Sequence, residues 1–153
     1  MTTTWHIAQL NVGTMLYAHD DERMSGFFSQ LDDINALADQ SPGFVWRLQS
    51  DSGNATDIQV DDDPLFLVNM SVWESVEALR DYVYKTEHVD FLRRRREWFE
   101  AADGPYLVLF WVPAGHRPTP EEAMSRLEQL RADGPSPEAF TFREQFAPPV
   151  DAT

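Results

Sequence analysis

The side chains of this 153-residue chain that could do chemistry are few. There is no cysteine, so disulfides, thiolate metal sites and cysteine nucleophiles are excluded. Four histidines are present: His6, His19, His88 and His116. None stands at the H-x-x-x-H spacing and no histidine–carboxylate cluster recurs, which argues against a transition-metal site. The "DDD" at 61–63 lacks the alternation of a calcium loop, and "DSGNATD" has no phosphate-loop pattern. What remains is amides, aromatics and single charges. Asn69 interrupts the apolar run "LFLVNMSVW" (65–73). An amide there can hold a substrate carbonyl or stabilise an oxyanion or peroxide. The structural alternative is an amide satisfied by backbone or water in an interface. His88, in "KTEHVDF", has the titration range of a general base; the alternative is a half-exposed residue at a helix start. Arg47, in "FVWRLQ", sits among aromatics and needs an anion or a stacking partner, which an acid such as Asp57 or Glu74 would supply. Trp46, Trp73 and Trp111 read as packing or as aromatic walls. His6 reads as structural, and His19 and His116 as loop residues facing water.

The elements that must position these residues follow from periodicity. Alternation predicts strands over 5–16, 44–49, 65–73 and 106–113. A helical stripe of Met24, Phe27, Phe28, Leu31, Ile34, Leu37 and Ala38 predicts a helix over 22–40, capped by Asp20 or Asp21. Ser75 caps a second helix, "VEALRDYVYKT", and "EHVDFLRRRREWFEAA" continues it after a break. Residues 50–64 are polar and read as a connection. The order is the split βαβ arrangement of a ferredoxin-like α+β fold: a four-stranded antiparallel sheet with helices on one face. Residues 1–116 would form this domain. Residues 117–153 would add a helix (119–134), opened by Thr119 and Pro120 and stopped by Gly134, and an extended arm lying on the domain or a partner.

Strand alternation sorts side chains by face. Phe66, Val68, Met70 and Val72 are uniformly apolar and are assigned to the face under the helices. Leu65, Leu67, Asn69, Ser71 and Trp73 take the other. Gln9 and Asn11 of the first strand join the mixed face with Trp5 and Ile7. Leu107, Leu109 and Trp111 oppose Tyr106, Val108, Phe110 and Val112. Arg47 and Gln49 oppose Phe44, Trp46 and Leu48. So many apolar groups on the mixed face should not stay wet. A homodimer closing through its sheet faces is the expected solution, with a small-molecule cavity enclosed between them.

The segment "NMSVWESVEALRDYVYKTEHVDFLRRR" resembles antibiotic-biosynthesis-type monooxygenases and their relatives, the dimeric α+β-barrel superfamily. The shared features are a strand ending in Trp-Glu-Ser, a helix opening "VEAL" and a His at the start of the next helix. "PGFVWRLQ", "VNMSVWES", "RRREWF" and "WVPAGHRPTPEEA" resemble, over most of the chain, an uncharacterised bacterial family within that superfamily. The resemblance implies the fold and no established reaction for this branch. Some relatives are cofactor-free oxygenases of polycyclic phenols with an Asn and a Trp in the pocket, a pair that Asn69 and Trp73 match. Others bind or degrade haem through a His on the helix after the third strand. His88 lies in that region about one turn early, with Arg93 and its neighbours at the expected place. EthD-like and polyketide-cyclase-like relatives use His and Tyr, which His88 with Tyr82 or Tyr84 would match.

Twelve basic residues against twenty-six acidic ones give a net charge of −14, a field that repels nucleic acid and anionic membranes. The run Arg93–Arg96 is flanked by acids and reads as a solvated helix face. No apolar stretch is long enough to cross a bilayer, and a cytoplasmic location is expected. The functional expectation is a cofactor-independent, monooxygenase-like or cyclase-like enzyme acting on a small aromatic or polyketide-like molecule. Asn69, His88 and Trp73 would be catalytic. Gln9, Asn11, Arg47, Trp111 and Tyr84 would bind substrate. No metal or cofactor is expected, with haem as the alternative. A binding or sensing protein with the same pocket and no chemistry is the other alternative.

Overall fold

The computed structural model describes residues 4–18, 20–49, 63–86, 88–102 and 104–149. His19, Asp57, the "DSGNATD" stretch and two of the three aspartates at 61–63 lie outside the described residues. Four strands, β1 (Trp5–Thr14), β2 (Phe44–Arg47), β3 (Phe66–Trp73) and β4 (Leu107–Pro113), form one sheet in the order β2-β3-β1-β4. All neighbours are antiparallel. The helices are α1 (Ser25–Gln40), entered through a 3-10 turn at Glu22–Met24, α2 (Val76–Lys85), α3 (His88–Arg93), α4 (Arg95–Trp98) and α5 (Pro120–Asp133). This is the α+β, split βαβ order that the sequence predicts, with the second crossover broken into three helices.

Local chemistry sets the boundaries. Asp21 accepts from the Arg23 N–H at 2.9 Å and caps the turn before α1. Ser75 Oγ accepts from the Ala78 N–H at 3.1 Å, and Thr119 Oγ1 from the Glu122 N–H at 3.1 Å. Each cap satisfies an N–H that the first helical turn leaves unpaired. Gly43, at φ +83, turns the chain from α1 into β2, and a Cβ there would stand 2.5 Å from Ala78 Cβ. Both the backbone angle and the close approach of α2 require glycine.

The two sheet faces are covered by different helices, which corrects the sequence reading. The uniformly apolar set, Val68, Met70 and Val72 with Ala8, Leu10, Val12, Val108, Phe110 and Val112, packs against Ala123, Leu127 and Leu130 of α5. The mixed face lies under α1 and α2: Ile7, Trp73 and Leu109 meet Ile34, Ala38, Leu79 and Tyr82. Leu67 meets Phe27, Leu31, Trp98 and Phe99. Helices therefore cover both faces rather than one. The apolar face is buried by a helix as expected, but by the C-terminal one. A cavity is present between the mixed face and α1 and α2 of the same chain, and Asn69, expected to point away from the helical layer, stands on the face that those helices cover, where its side chain remains exposed.

A second correction concerns β2. A register shift between Phe44 and Trp46 breaks its alternation, so Phe44 pairs with Trp73, Trp46 with Val72 and Arg47 with Ser71. Phe44 packs edge-on against Trp73 at 5.4 Å, while Trp46 joins the α5 face. Such a bulge re-aims side chains at a sheet edge. Past α5 the chain returns to the opposite edge. Phe140 exchanges both backbone hydrogen bonds with Leu109, at 2.7 and 2.9 Å. It covers the free side of β4 and buries Ala139 and Phe140 on opposite faces.

Leu127 and Phe140 are fully buried. Truncating either to Ala should cost about 2–5 kcal/mol by the combined loss of apolar burial and creation of a cavity. Exposed Val45 should tolerate Thr within about 0.5 kcal/mol. Urea unfolding of the three variants against wild type checks the contrast; an unaffected Leu127→Ala would remove α5 from the core.

Candidate functional site

The antiparallel register sets the floor of the site. Gln9 stands opposite Ser71, and Asn11 opposite Asn69, so four polar side chains share one patch of the α1/α2 face. They satisfy one another. Gln9 Nε2 donates to Asn69 Oδ1 at 2.8 Å and to Ser71 Oγ at 2.9 Å. Asn11 Nδ2 donates to Gln9 Oε1 at 3.1 Å and to Asn69 Oδ1 at 3.2 Å. Trp73 Nε1 donates to Ser71 Oγ at 2.8 Å. Both hydrogens of the Gln9 and Asn11 amides are thereby used. The unspent donors of the network are the two hydrogens of Asn69 Nδ2 and the Ser71 hydroxyl hydrogen, and the unspent amide acceptor is Asn11 Oδ1.

Above this floor lies a cavity of about 190 Å³ between the sheet and the helices. Gln9, Asn11, Asn69 and Ser71 line it from below. Phe27, Leu31, Ile34 and Asn35 of α1 and Leu79 and Tyr82 of α2 line it from above. Trp98 and Phe99 close one end, and Tyr84, His88 and Phe142 form part of its wall. Phe142 belongs to the C-terminal arm and meets the Tyr84 ring edge-on at 5.8 Å.

Three titratable groups line this cavity with shifted affinities for protons. Burial pushes the Tyr82 phenol well above its ordinary value, so it stays protonated and donates to the Ile34 carbonyl at 3.1 Å. Burial lowers the His88 pKa from its ordinary 6.5, against the opposing hydrogen bond to Val83. The imidazole is therefore neutral at pH 7. Its Nδ1 lies 3.2 Å from the Val83 carbonyl. A carbonyl only accepts, so Nδ1 carries the proton and Nε2 is the basic nitrogen. The His88 ring leans on Tyr82 at 4.8 Å, and Tyr82 stacks on Trp73 at 5.0 Å.

Among the described residues, Arg95 is the one permanently charged residue of the cavity wall. Its guanidinium stacks on the Tyr106 and Phe99 rings at 4.1 and 5.0 Å and donates to the Val12 carbonyl at 2.9 Å. Burial lowers its pKa, yet a guanidinium stays charged at neutral pH. Among the described residues it has no carboxylate partner. Gly13 makes this placement possible: a Cβ there would stand 2.7 Å from the Phe99 ring and 3.1 Å from Arg95 Nη1.

Of the residues singled out from sequence, Gln9, Asn11, Asn69, Tyr84 and His88 come together at the cavity. Trp73 lies behind its wall, fully buried, and reaches the floor only through Ser71. Arg47 faces the same side and pairs with Asp39 of α1 at 2.8 Å, while the expected partner Asp57 lies outside the described residues. Trp111 is covered by the arm and donates to the Phe146 carbonyl at 3.0 Å, so it is not a wall residue. Sequence reading left out Ser71, Asn35 and Arg95. Parity already placed Ser71 beside Asn69. Asn35 sits four residues after Leu31 on the buried stripe of α1. Arg95 was hidden in a basic run that otherwise faces solvent.

Haem does not fit. The cavity, about 190 Å³, is smaller than the roughly 300–1,000 Å³ typical of drug-sized ligand sites and too small for a macrocycle of that size. Among the described residues no group of three His, Cys, Asp or Glu could hold a metal ion, and no helix is long and apolar enough to cross a membrane.

Fold and site together define an α+β protein with a cavity of about 190 Å³ between an antiparallel sheet and its helices. The chain belongs to the family described as "Domain of unknown function (DUF3291)", which matches residues 6–153. None of the curated proteins matches it. Among solved structures it is similar to SnoaB, a cofactor-independent oxygenase from Streptomyces nogalater, at 19% identity and a TM-score of 0.44. The match covers 76% of this chain and 98% of that one. It is also similar to NE2512, a protein of unknown function from Nitrosomonas europaea, at 8% identity and a TM-score of 0.46, over 77% and 97% of the two chains.

The His88 shift has a sign. Because burial lowers the folded-state pKa, the unfolded chain takes up the proton first. This residue's effect on stability is nil above about pH 6.5 and unfavourable as pH falls below it. His88→Gln should therefore narrow the loss of stability between pH 7.5 and 5, measured by urea unfolding at both. An equal loss in wild type and variant would mean that the ring titrates freely.

Proposed function

We propose that the protein is a cofactor-independent, monooxygenase-like enzyme acting on a small aromatic or enolic molecule held in this cavity. The observation that carries the reading is the amide network, whose unspent amide donors belong to Asn69 at the floor of an aromatic-walled cavity. Donors fixed before the reaction stabilise charge that develops on a substrate oxygen. An engineered apolar cavity of roughly 150 Å³ takes one benzene ring, so about 190 Å³ suits a single substituted ring rather than a polycyclic phenol.

In this reading His88 Nε2 takes an activated C–H proton from the substrate. The negative charge spreads onto an oxygen facing Asn69 Nδ2 and is balanced by Arg95. The electron-rich carbanion is oxidised by molecular oxygen, which adds to it through a new C–O bond. The peroxide takes the proton back from His88 and loses water as its O–O bond and the remaining C–H bond break. One oxygen atom leaves as water and the other stays as a ketone. Tyr82 keeps its proton throughout and positions the His88 ring, while Trp73 holds Ser71 from behind. Gln9 and Asn11 bind by fixing Asn69 rather than by touching charge themselves. The charge of −14 lies elsewhere on the chain and leaves Arg95 as the cationic point of the cavity wall.

Oxygen uptake with a panel of one-ring phenols and cyclic 1,3-diketones tests this. Asn69→Ala should lower the rate by about 10²–10³-fold, the cost of one lost oxyanion donor, while the protein stays folded. With a working substrate the rate should stay level down through pH 6.5 and fall only at lower pH, where the depressed pKa of His88 is crossed. Tight binding of such molecules with no oxygen uptake would instead make the protein a binder or sensor.

A further inference from the structure

The floor of the cavity uses its polar groups on one another, but the roof does not. Asn35 projects from α1 and lines the same cavity. It is only 7% exposed. Its side-chain amide makes no hydrogen bond to any described residue, although Leu31, Ile34 and Ala38 on the same stripe are ordinary core contacts. An amide on a cavity wall with no protein partner keeps its donors and its acceptor for whatever fills the cavity. Leucine has nearly the same shape and would line the wall without the desolvation cost of an amide. The position also lies across the cavity from Asn69, since α1 covers the face on which the Gln9–Asn11–Asn69–Ser71 network stands.

We infer that Asn35 is a ligand-binding and specificity-determining residue. It takes a second polar group on a ligand whose first oxygen lies at Asn69. The ligand class is then narrower than an aromatic ring: a single ring bearing two oxygen functions on different edges, one for the floor and one for the roof. The amide can donate through Nδ2 or accept through Oδ1, so both hydroxyl and carbonyl oxygens suit it. A ring with one oxygen leaves Asn35 unpaired in the complex, and that unmatched amide is what discriminates against it. This inference rests on the proposed use of the cavity for a small ring, but not on any reaction there.

Two measurements test it. The first needs no ligand. Asn35→Leu should raise Tm by about 2–4 °C, the shift expected for relief of about 1 kcal/mol in a chain of this size. A Tm lowered by the substitution would show that the amide is a structural hydrogen-bonding group, and would overturn the assignment. The second compares phenol with resorcinol and hydroquinone by calorimetric titration. Wild type should bind at least one of the two dihydroxy rings 10-fold or more tightly than phenol. Asn35→Leu should bring that ratio to within about 2-fold while its affinity for phenol holds. Asn69→Ala should weaken all three. If Asn35→Leu keeps the wild-type preference, or wild type shows none, Asn35 is not the second contact. If no ring binds to wild type at all, the cavity reading itself fails, and the Tm result still decides whether the Asn35 amide is structural.

Discussion

The register of β1 against β3 is the constraint on which the site depends. It sets Gln9 against Ser71 and Asn11 against Asn69 on the face that α1 and α2 cover. Gln9 and Ser71 are buried there and would be costly if each stood alone, while Asn11 is half-buried and Asn69 exposed. Set side by side, they use their donors and acceptors on one another, and Trp73 joins from behind through Ser71. A slip of one residue in that pairing would turn the whole set to the other face, against the apolar side of α5. Register, burial and the direction of the Asn69 amide are thus one decision rather than three.

That decision also explains why two different helical layers serve one sheet. The α5 face is apolar throughout, and Ala123, Leu127 and Leu130 pack onto it. The opposite face carries the polar floor, and α1 and α2 meet it through Trp73, Ile7 and Leu109 at one end and through Leu67 at the other. Between those contacts the layers do not touch, and the cavity occupies the gap. Gly13 lets Phe99 and Arg95 reach down to the sheet and close the end near α4. The arm after α5 supplies Phe142 to the wall beside Tyr84.

Much of this was legible in the sequence, and the failures have physical causes. Strand parity correctly grouped Asn69 with Ser71 and Trp73, and Phe66 with Val68, Met70 and Val72. Caps at Ser75 and Thr119 and the stop at Gly134 stand where their side-chain chemistry placed them. Which helix covers which face was not legible, because alternation says that two faces differ but not which partner each will meet. The amphipathic α5 was visible, yet nothing local says that it folds back across the sheet. The Arg47–Asp39 pair was not foreseen because it joins α1 to β2 across the turn at Gly43, and the sequence alone does not show how closely that turn brings the two elements together. Trp111 was given to the cavity because the reach of residues 139–146 back over β4 leaves no trace in its own neighbourhood. Arg95 was lost in its run because Arg93 and Arg96 beside it do face water. Only the break between α3 and α4 turns it inward.

The coverage of the apolar face by the chain's own α5 bears on how the cavity exists at all. Every described wall of it belongs to one polypeptide. A site shared between subunits comes apart as they are diluted, and its occupancy then depends on how much protein is present as well as on how much ligand. The polar floor of this cavity and its α1 and α2 roof come from one chain, so the contacts between them do not depend on protein concentration.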